Sequence, residues 1–524
     1  KGGNGSIMEI ESIFPLTYRL SDPNYTIYHR AALGGLAATI KAWGKSPPDG
    51  ILPKLEQDSV TIEKIGDLTD REALKRILDA SFKLTEDKLI DLPGQFIAEG
   101  NDGLRVCIHQ ILTKTFLQHH RMRPGEKQPR QFILQEADSE ENHSVTYIAI
   151  NSYAHQKAQG TDLLDDSKKN ADSGVLSKIG SIPQSMIPGA MTGRRSLQAP
   201  VEEVILLLFL MVGCATFFLR PKTYKEKFQY CIIIPDIIDL KKFALAMERI
   251  SIQSQDFQRF TRNYLGRVVG GAEEAALSFL LDMTAQDLER ERSIKGCQAI
   301  AMGQVAWDKN QINRSISVKV GGDYDELSVF RAAKQHLGKG KFIKMKDGKS
   351  FSVPETSIPE LIAANLAANR HWCSHFKELL AEKKDFRNLL YRNGDLHKVA
   401  NAIKNKEDIA IIRAFHKAWE MTMGQMGDRA RENHLDFERL VEVRREKIRN
   451  EILRLKTTEA CANWFLKFCA SATKGGSLAP IREDADLIRD FIFNRRNFDR
   501  LQNLLLFALV SYESDKNNKD IDNN

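Results

Sequence analysis

The sequence predicts an α+β N-terminal region of mixed strands and helices, followed by an all-α C-terminal helical bundle. Three observations carry this. Residues 204–245 hold the most apolar stretch, VILLLFLMVGCATFFL over Val204–Leu219, then a charged spacer, then a β-branched and aromatic run over Tyr230–Ile234 that Pro235 and Asp236 close. From Pro354 onward strand signals vanish and apolar residues recur at helical spacing. Composition is that of an ordinary globular protein, 42% hydrophobic and 28% charged, and 524 residues allow two to four domains or subdomains.

Taken in order, Lys1–Ile7 reads as an expression scar before a natural start at Met8, and 8–340 as the α+β domain. Ile10–Leu20 alternates as a first strand. Tyr25–Trp43 reads as a helix with Gly34 and Gly35 inside it. Each glycine costs about 1 kcal/mol relative to alanine, so the pair implies close packing against another backbone. His29 and Arg30 on it are either phosphate contacts or an ordinary polar face. Pro47–Pro53 is a turn, Gln57–Ile65 a strand, and Asp70–Ser81 an amphipathic helix with Leu74, Ile77 and Leu78 on one face. Asp102–His119 is a further helix. The loop Arg121–Arg130 after it is basic and broken by Pro and Gly, which suits phosphate contact, base reading or a solvated lead-in to a hairpin. Phe132–Leu134 and Val145–Ile150 are strands around a polar turn, with Asn151 at the strand end. Ser181–Pro200 is irregular and carries a second basic loop, Met191–Arg195.

The run Val204–Leu219 has about 16 apolar residues, short of the roughly 20 that span a bilayer, and Glu202, Glu203 and Arg220 bound it. A buried helix or strand beside a central strand fits it better than a membrane span. Ile237–Leu245 reads as a short helical turn and Ile250–Ala285 as largely helical. Ala299–Trp307 and Ile312–Val320 read as a hairpin around Asp308–Gln311, and Tyr324–Leu337 as a helix. Residues 341–355 are a basic, Gly-rich linker or small hairpin. Residues 356–512 form the bundle, and 513–524 a disordered tail.

The formal charge of +7 is mild, and most of the excess falls after Lys341, which suits a polyanion partner without proving one. Seven cysteines without a CxxC pair suit reduced thiols and a cytoplasmic location. Catalytic signals are weak. The triplets Gly44–Ser46 and Gly348–Ser350 lack the glycine five positions upstream that a phosphate loop needs; Thr39 and Ile343 stand there. His371 and His375 sit at i, i+4, but Trp372 replaces the glutamate of a zinc hydrolase, and no metal or other cofactor is expected. Arg392 with His397, and Arg429 with His434, have the Arg-x4-His spacing of HEPN ribonucleases, although Gly394–Asp395 should break the helix that motif needs. A HEPN-like ribonuclease and a structural interaction protein without nucleic acid therefore stay open as alternatives.

Several stretches in order resemble one family: YTIYHRAALGGLAATIKAW (25–43), TFLQHHRMR (115–123), NSYAHQ (151–156), PGAMTGRR (188–195), LLLFLMVGCATFFLR (206–220) and IIIPDIIDLKKFA (232–244). Together they are similar to the large subunit of type I CRISPR effector complexes (Cascade), in the MYXAN or DevT-like branch of types I-A and I-B. Met191–Arg195 departs from the family's Arg-His pair after Pro-Gly. The resemblance implies a non-enzymatic, prokaryotic antiviral protein. It would bind guide crRNA at its 5′ handle, read the protospacer-adjacent motif in target duplex DNA, and aid strand opening and R-loop formation. Its implied partners are the backbone, 5′-handle-capping and small subunits, with a helicase–nuclease or transposition proteins downstream and no membrane. The bundle resembles the small subunit that supports the displaced strand, and Met345 is placed as an internal start for a separate small subunit. The resemblance does not fix the reading residues. The candidates are Arg121, Arg123, Lys127, Gln128, Arg130, Asn151, Arg194 and Arg195, with the hairpin tip Lys309, Asn310 and Gln311 as the alternative reader. Arg444, Arg445, Lys447, Arg449 and Arg454 form the expected strand-supporting helix.

Overall fold

The computed structural model describes residues 12–513 apart from 98–101, 119, 136–141, 165–173, 184–185, 188–196, 221–228, 254–267, 287–291, 303–313, 320–325, 339, 345–349 and 355. The expected scar, the loop carrying Arg194 and Arg195, the hairpin tip Lys309–Gln311 and Met345 lie outside these residues, as does the tail after Glu513. The chain forms two compact units, Lys1–Gly321 and Gly322–Asn524.

The first unit is α+β, built around the helix Ile27–Trp43, whose residues 31–40 are all buried. The apolar run predicted as core falls in three pieces: the helices Val201–Leu208 and Leu210–Gly213, which pack on this helix, then the strand Ala215–Leu219, which joins the central sheet. No helix among the described residues is long and apolar enough to cross a membrane. The glycine pair does bring backbones together. A Cβ on Gly35 would sit 2.6 Å from the Gly213 amide nitrogen and closer still to the Phe209 carbonyl, while Gly34 packs on Ile237 and Phe243.

The central strand, Gln229–Ile237, lies in a five-stranded sheet between Ala215–Leu219 and Ile294–Met302; Arg314–Lys319 and the short Val268–Val269 form the edges. It does not stop at Pro235, as expected from sequence. Ala215–Leu219 pairs only as far as Ile233, so the absent Pro235 N–H costs no ladder bond, and the strand continues along Ile294–Met302 to Ile237. Two further expectations are corrected. The presumed turn at Pro47–Pro53 runs into the strand Ile51–Leu55, which tolerates Pro53 because it is an edge strand. The stretch 250–285 is not one helix: Leu240–Gln253 and Ala272–Gln286 are separate, and Val268–Val269 between them joins the sheet.

The second unit is all helices over 358–511, as predicted. Phe498–Ser511 is its central helix, buried from Leu501 through Ser511 and surrounded by Lys406–Glu432, Phe437–Leu453, Thr458–Ser471 and Asn393–Asn401. The helix Leu327–Leu337 packs on Asn393–Asn401 and Ile358–Ala367, so it goes with the bundle and not with the region 8–340. Residues 341–355 include a small antiparallel pair, Gly340–Lys344 with Ser350–Pro354.

A buried polar knot fixes the start of the long helix. Asp408, fully buried, accepts hydrogen bonds from Arg500 Nη2 (2.7 Å) and Nε (3.0 Å) and Trp372 Nε1 (2.9 Å), and His371 Nε2 lies 2.8 Å away. His371 and His375 are not on one helix. They sit in a turn where His375 has φ +61°, and His375 bonds Glu378 instead (2.8 Å).

Candidate nucleic-acid interface

The basic loop 121–130 is built onto the end of the helix Asp102–Lys114. That helix leaves carbonyls unpaired at its C-terminus, and Arg123 Nε donates to one of them, Thr113 O (3.0 Å), and to Leu117 O (2.7 Å) in the turn that follows. Arg123 is therefore half-buried and committed to the scaffold, not presented as a groove reader. On the same helix, His109 clamps the neighbouring segments. Its Nδ1 accepts the Ile90 N–H (3.1 Å), which leaves the proton on Nε2 for the Ile148 carbonyl (2.9 Å). Burial pushes this imidazole down to about 4, so it stays neutral.

The chain then returns against the loop. Gly125 bridges Ile150, Glu126 N donates to Ala149 O (2.8 Å) and Asn151 N to Pro124 O (2.8 Å). These bonds set Asn151 beside loop residues more than twenty positions earlier. At the centre is Glu126. Arg130 meets it with two donors, Nε to Oε2 (3.0 Å) and Nη2 to Oε1 (2.7 Å), and Lys88 Nζ adds a third to Oε1 (2.7 Å). Lys88 Nζ also reaches Asn151 Oδ1 (2.9 Å). Hydrogen bonds from Arg130 and then Lys88 hold the Glu126 carboxyl down at about 2. Lys127 and Gln128 are exposed at the rim, and Arg121 is exposed one turn before.

The structure thus brings together Arg123, Lys127, Gln128, Arg130 and Asn151 from the expected set. It adds Lys88 and Glu126, for which the sequence carries no local signal. Lys88 stands at φ +60° in the turn before Leu89, about forty residues from the loop it serves. The arrangement is a rigid base with one carboxylate, a surplus of cations and two exposed polar tips, chemistry that suits phosphates and base edges. Elsewhere in this unit, Arg30 is not a free phosphate contact. Its Nε donates to Asp236 (2.6 Å) and its Nη1 to Tyr25 O (2.9 Å).

In the bundle the expected basic helix, Phe437–Leu453, does not present its cations together. Arg449 is buried and donates to Leu380 O (2.7 Å) and Ala381 O (2.6 Å), and Arg445 lies over the Trp419 ring at 5.5 Å. Both turn inward because their residues share the helix face with Ile448 and Ile452. Lys447 and Arg454 are exposed and Arg444 is half-exposed. Arg454 instead stands near a second turn, tied on by Thr458 Oγ1 to Arg495 O (3.2 Å), that adds exposed Arg495, Arg496 and Phe493.

Neither Arg-x4-His pair lies within one helix here. Gly394 and Asp395 do not break the helix: Asn393–Asn401 runs through them, with Arg392 as its cap residue and the Glu513 carboxylate over Gly394. His397 bonds Ser511 O (3.2 Å) and stacks on buried His416. His434 lies past the end of its helix, off the face of Arg429.

Two family models match this chain: the DevT N-terminal domain over residues 17–208 and the DevT C-terminal domain over 399–524. The first contains the whole Lys88–Glu126–Arg130–Asn151 cluster. The chain is also similar to the CRISPR-associated protein Cas8a1/Csx13 of Myxococcus xanthus (strain DK1622), 25% identical over 386 residues, covering 69% of this chain and 63% of that protein. The match therefore spans under two thirds of the relative's length. With the two DevT domains in order and together matching more than half of the sequence, this chain belongs to the DevT family.

Proposed function

We propose that the chain is the non-enzymatic large subunit of a type I CRISPR effector complex of the I-A/I-B branch, and that it reads the motif flanking the target in duplex DNA. The observation that carries the reading is the convergence of the loop 121–130, Lys88 and Asn151 on one surface of the DevT N-terminal domain. In this reading exposed Lys127 and Arg121 neutralise phosphates and hold register, while Gln128, Arg130 and Asn151 meet base edges. Motif binding then favours local opening, and guide pairing takes over sequence recognition. The bundle supports the displaced strand through its exposed cations. Arg454, Arg495 and Arg496 contact phosphates and Phe493 offers a stacking face. Guide crRNA and the other effector subunits are the proposed partners.

The test is reconstitution of the effector complex with and without this chain, followed by binding to a guide-matched duplex with varied flanks and to the guide-complementary single strand. The reading expects flank-dependent duplex binding only with the chain present, and single-strand binding in both cases. Flank dependence that survives omission of the chain refutes it.

A further inference from the structure

The first unit holds a cavity of about 60 Å³ against the helix Asp102–Lys114. Leu104, Cys107, Ile108 and Ile111 recur at helical spacing, so one face of that helix makes a wall. Cys214 and the start of the strand Ala215–Leu219 make a second wall, and Met247 and Phe279 come in from the helices Leu240–Gln253 and Ala272–Gln286. The space is roughly four to six times what one water needs. Ile97 and Ile108 are only half-buried, which gives the cavity an open side. A polar group in the second wall is left unanswered. Thr216 is 8% exposed, and its hydroxyl has no hydrogen-bond partner among the described residues. It shares a strand face with Phe218, which packs on Cys107 and Ile111, so the hydroxyl lies on the cavity side. Buried hydroxyls are normally bonded. In this unit Thr39, Ser81 and Thr115 each return theirs to a carbonyl four residues back in their own helix, a solution that a strand residue lacks.

We propose that this cavity binds a small neutral ring compound with one hydroxyl, of which phenol is the simplest, with the ring among Cys107, Cys214, Met247 and Phe279 and the hydroxyl on Thr216. The wall chemistry selects the class. Two thiols, a thioether and a phenyl ring are polarisable groups, and sulfur packs favourably against aromatic rings. No charged side chain lines the cavity among the described residues, so an ionised ligand would enter without a partner. Burial pushes the Cys107 thiol up to about 12 and raises that of Cys214 as well, so both stay neutral at ordinary pH. A hydroxyl on the ligand can both donate to and accept from Thr216, which answers the unpaired group. The site lies apart from the loop 121–130 and does not depend on the proposed function.

The experiment titrates the full chain with phenol and, separately, with toluene, which carries a methyl in place of the hydroxyl, and follows each by ligand-observed NMR. The expected result is one saturable site for each. Thr216→Val, which keeps the shape and removes the hydroxyl, should weaken phenol about two- to tenfold and leave toluene unweakened. Ile108→Trp, at the half-buried edge of the helix wall, should fill the opening and abolish both. A third arm needs no variant: bound phenol should slow modification of Cys107 and Cys214 by N-ethylmaleimide, while Cys373, Cys461 and Cys469 of the second unit react as before. The proposal is overturned if phenol does not saturate, if its affinity is the same in both variants as in the unmodified chain, or if it leaves Cys107 and Cys214 unprotected. Equal weakening of phenol and toluene by Thr216→Val overturns the hydrogen bond assigned to Thr216.

Discussion

Glycine to alanine should have opposite signs at two helical positions of this protein. Within a helix the change favours folding by about 1 kcal/mol, through propensity and lost unfolded-state freedom. At Gly424, in the helix Lys406–Glu432, an added Cβ meets nothing within 4 Å, so Gly424→Ala should gain that full amount. At Gly35 the Cβ meets the Phe209 carbonyl and the Gly213 nitrogen, the latter at 2.6 Å, and both are backbone. No rotamer change relieves such a contact. Gly213 is equally closed, since its own Cβ would strike the Ala31 carbonyl. The two helices must separate, which opens gaps along the buried length of Ile27–Trp43. Overpacking costs about 1–3 kcal/mol, and with backbone on both sides the upper end applies. Against the gain in propensity, Gly35→Ala should lose roughly 2 kcal/mol net. Hydrogen exchange of peptides from 27–43 and from 406–432 reads each unit separately. Protection should fall in the first for Gly35→Ala and rise in the second for Gly424→Ala. Equal or greater protection of 27–43 in Gly35→Ala would refute the backbone-contact argument.

Three other outcomes follow from the same structure. Asp408→Ala removes the shared acceptor of Arg500 Nε and Nη2, Trp372 Nε1 and His371 in the bundle core, leaving Arg500 with Glu407 alone, and should cost about 3–5 kcal/mol, seen as a large drop in the urea midpoint; a midpoint within error of wild type contradicts the knot. Arg449→Ala should destabilise the bundle by about 2 kcal/mol through two lost carbonyl contacts, without lowering DNA affinity when folded, whereas Lys447→Ala with Arg454→Ala should weaken low-salt DNA binding and leave stability unchanged; the reverse pattern would restore the helix as one basic face. Acidification should destabilise both units: His109 and His416 are pushed by burial to about 4, below the roughly 6.5 of an unfolded chain, so between these values the unfolded state binds more protons and stability falls as pH falls. The loss at pH 5 is on the order of 2 kcal/mol for each imidazole, and a urea midpoint flat from pH 7 to 5 would contradict it.

Where the sequence alone succeeded, the determining physics was local. Asp70–Ser81 was legible to the residue because its apolar face is regular; Thr69 and Glu72 form the capping box that starts it. The Gly34–Gly35 pair correctly announced a close approach, since two glycines in a helix are retained only where a Cβ does not fit. The failures are positions where pairing outside the segment decides. Pro53 and Pro235 look like strand breakers, yet each has its missing donor on an unpaired side. Arg445 and Arg449 were expected on a strand-supporting basic face, but helix phase turns them onto Trp419, Phe386 and main-chain carbonyls. The candidate surface was half legible. The loop's charge and its Pro and Gly residues advertised it, and Asn151 was singled out. Lys88 and Glu126 join only through tertiary contacts, and no spacing in the chain encodes that.

The central claim is that the loop 121–130 lies against the flanking duplex in the assembled complex. A photocrosslinking residue at Gln128, exposed beside Arg130, tests it most directly when the crosslinked nucleotides are mapped on a guide-matched target. The account predicts crosslinks within the flanking motif, lost when the motif is changed. Crosslinks confined to the guide RNA, to another subunit, or spread evenly along the duplex would contradict it.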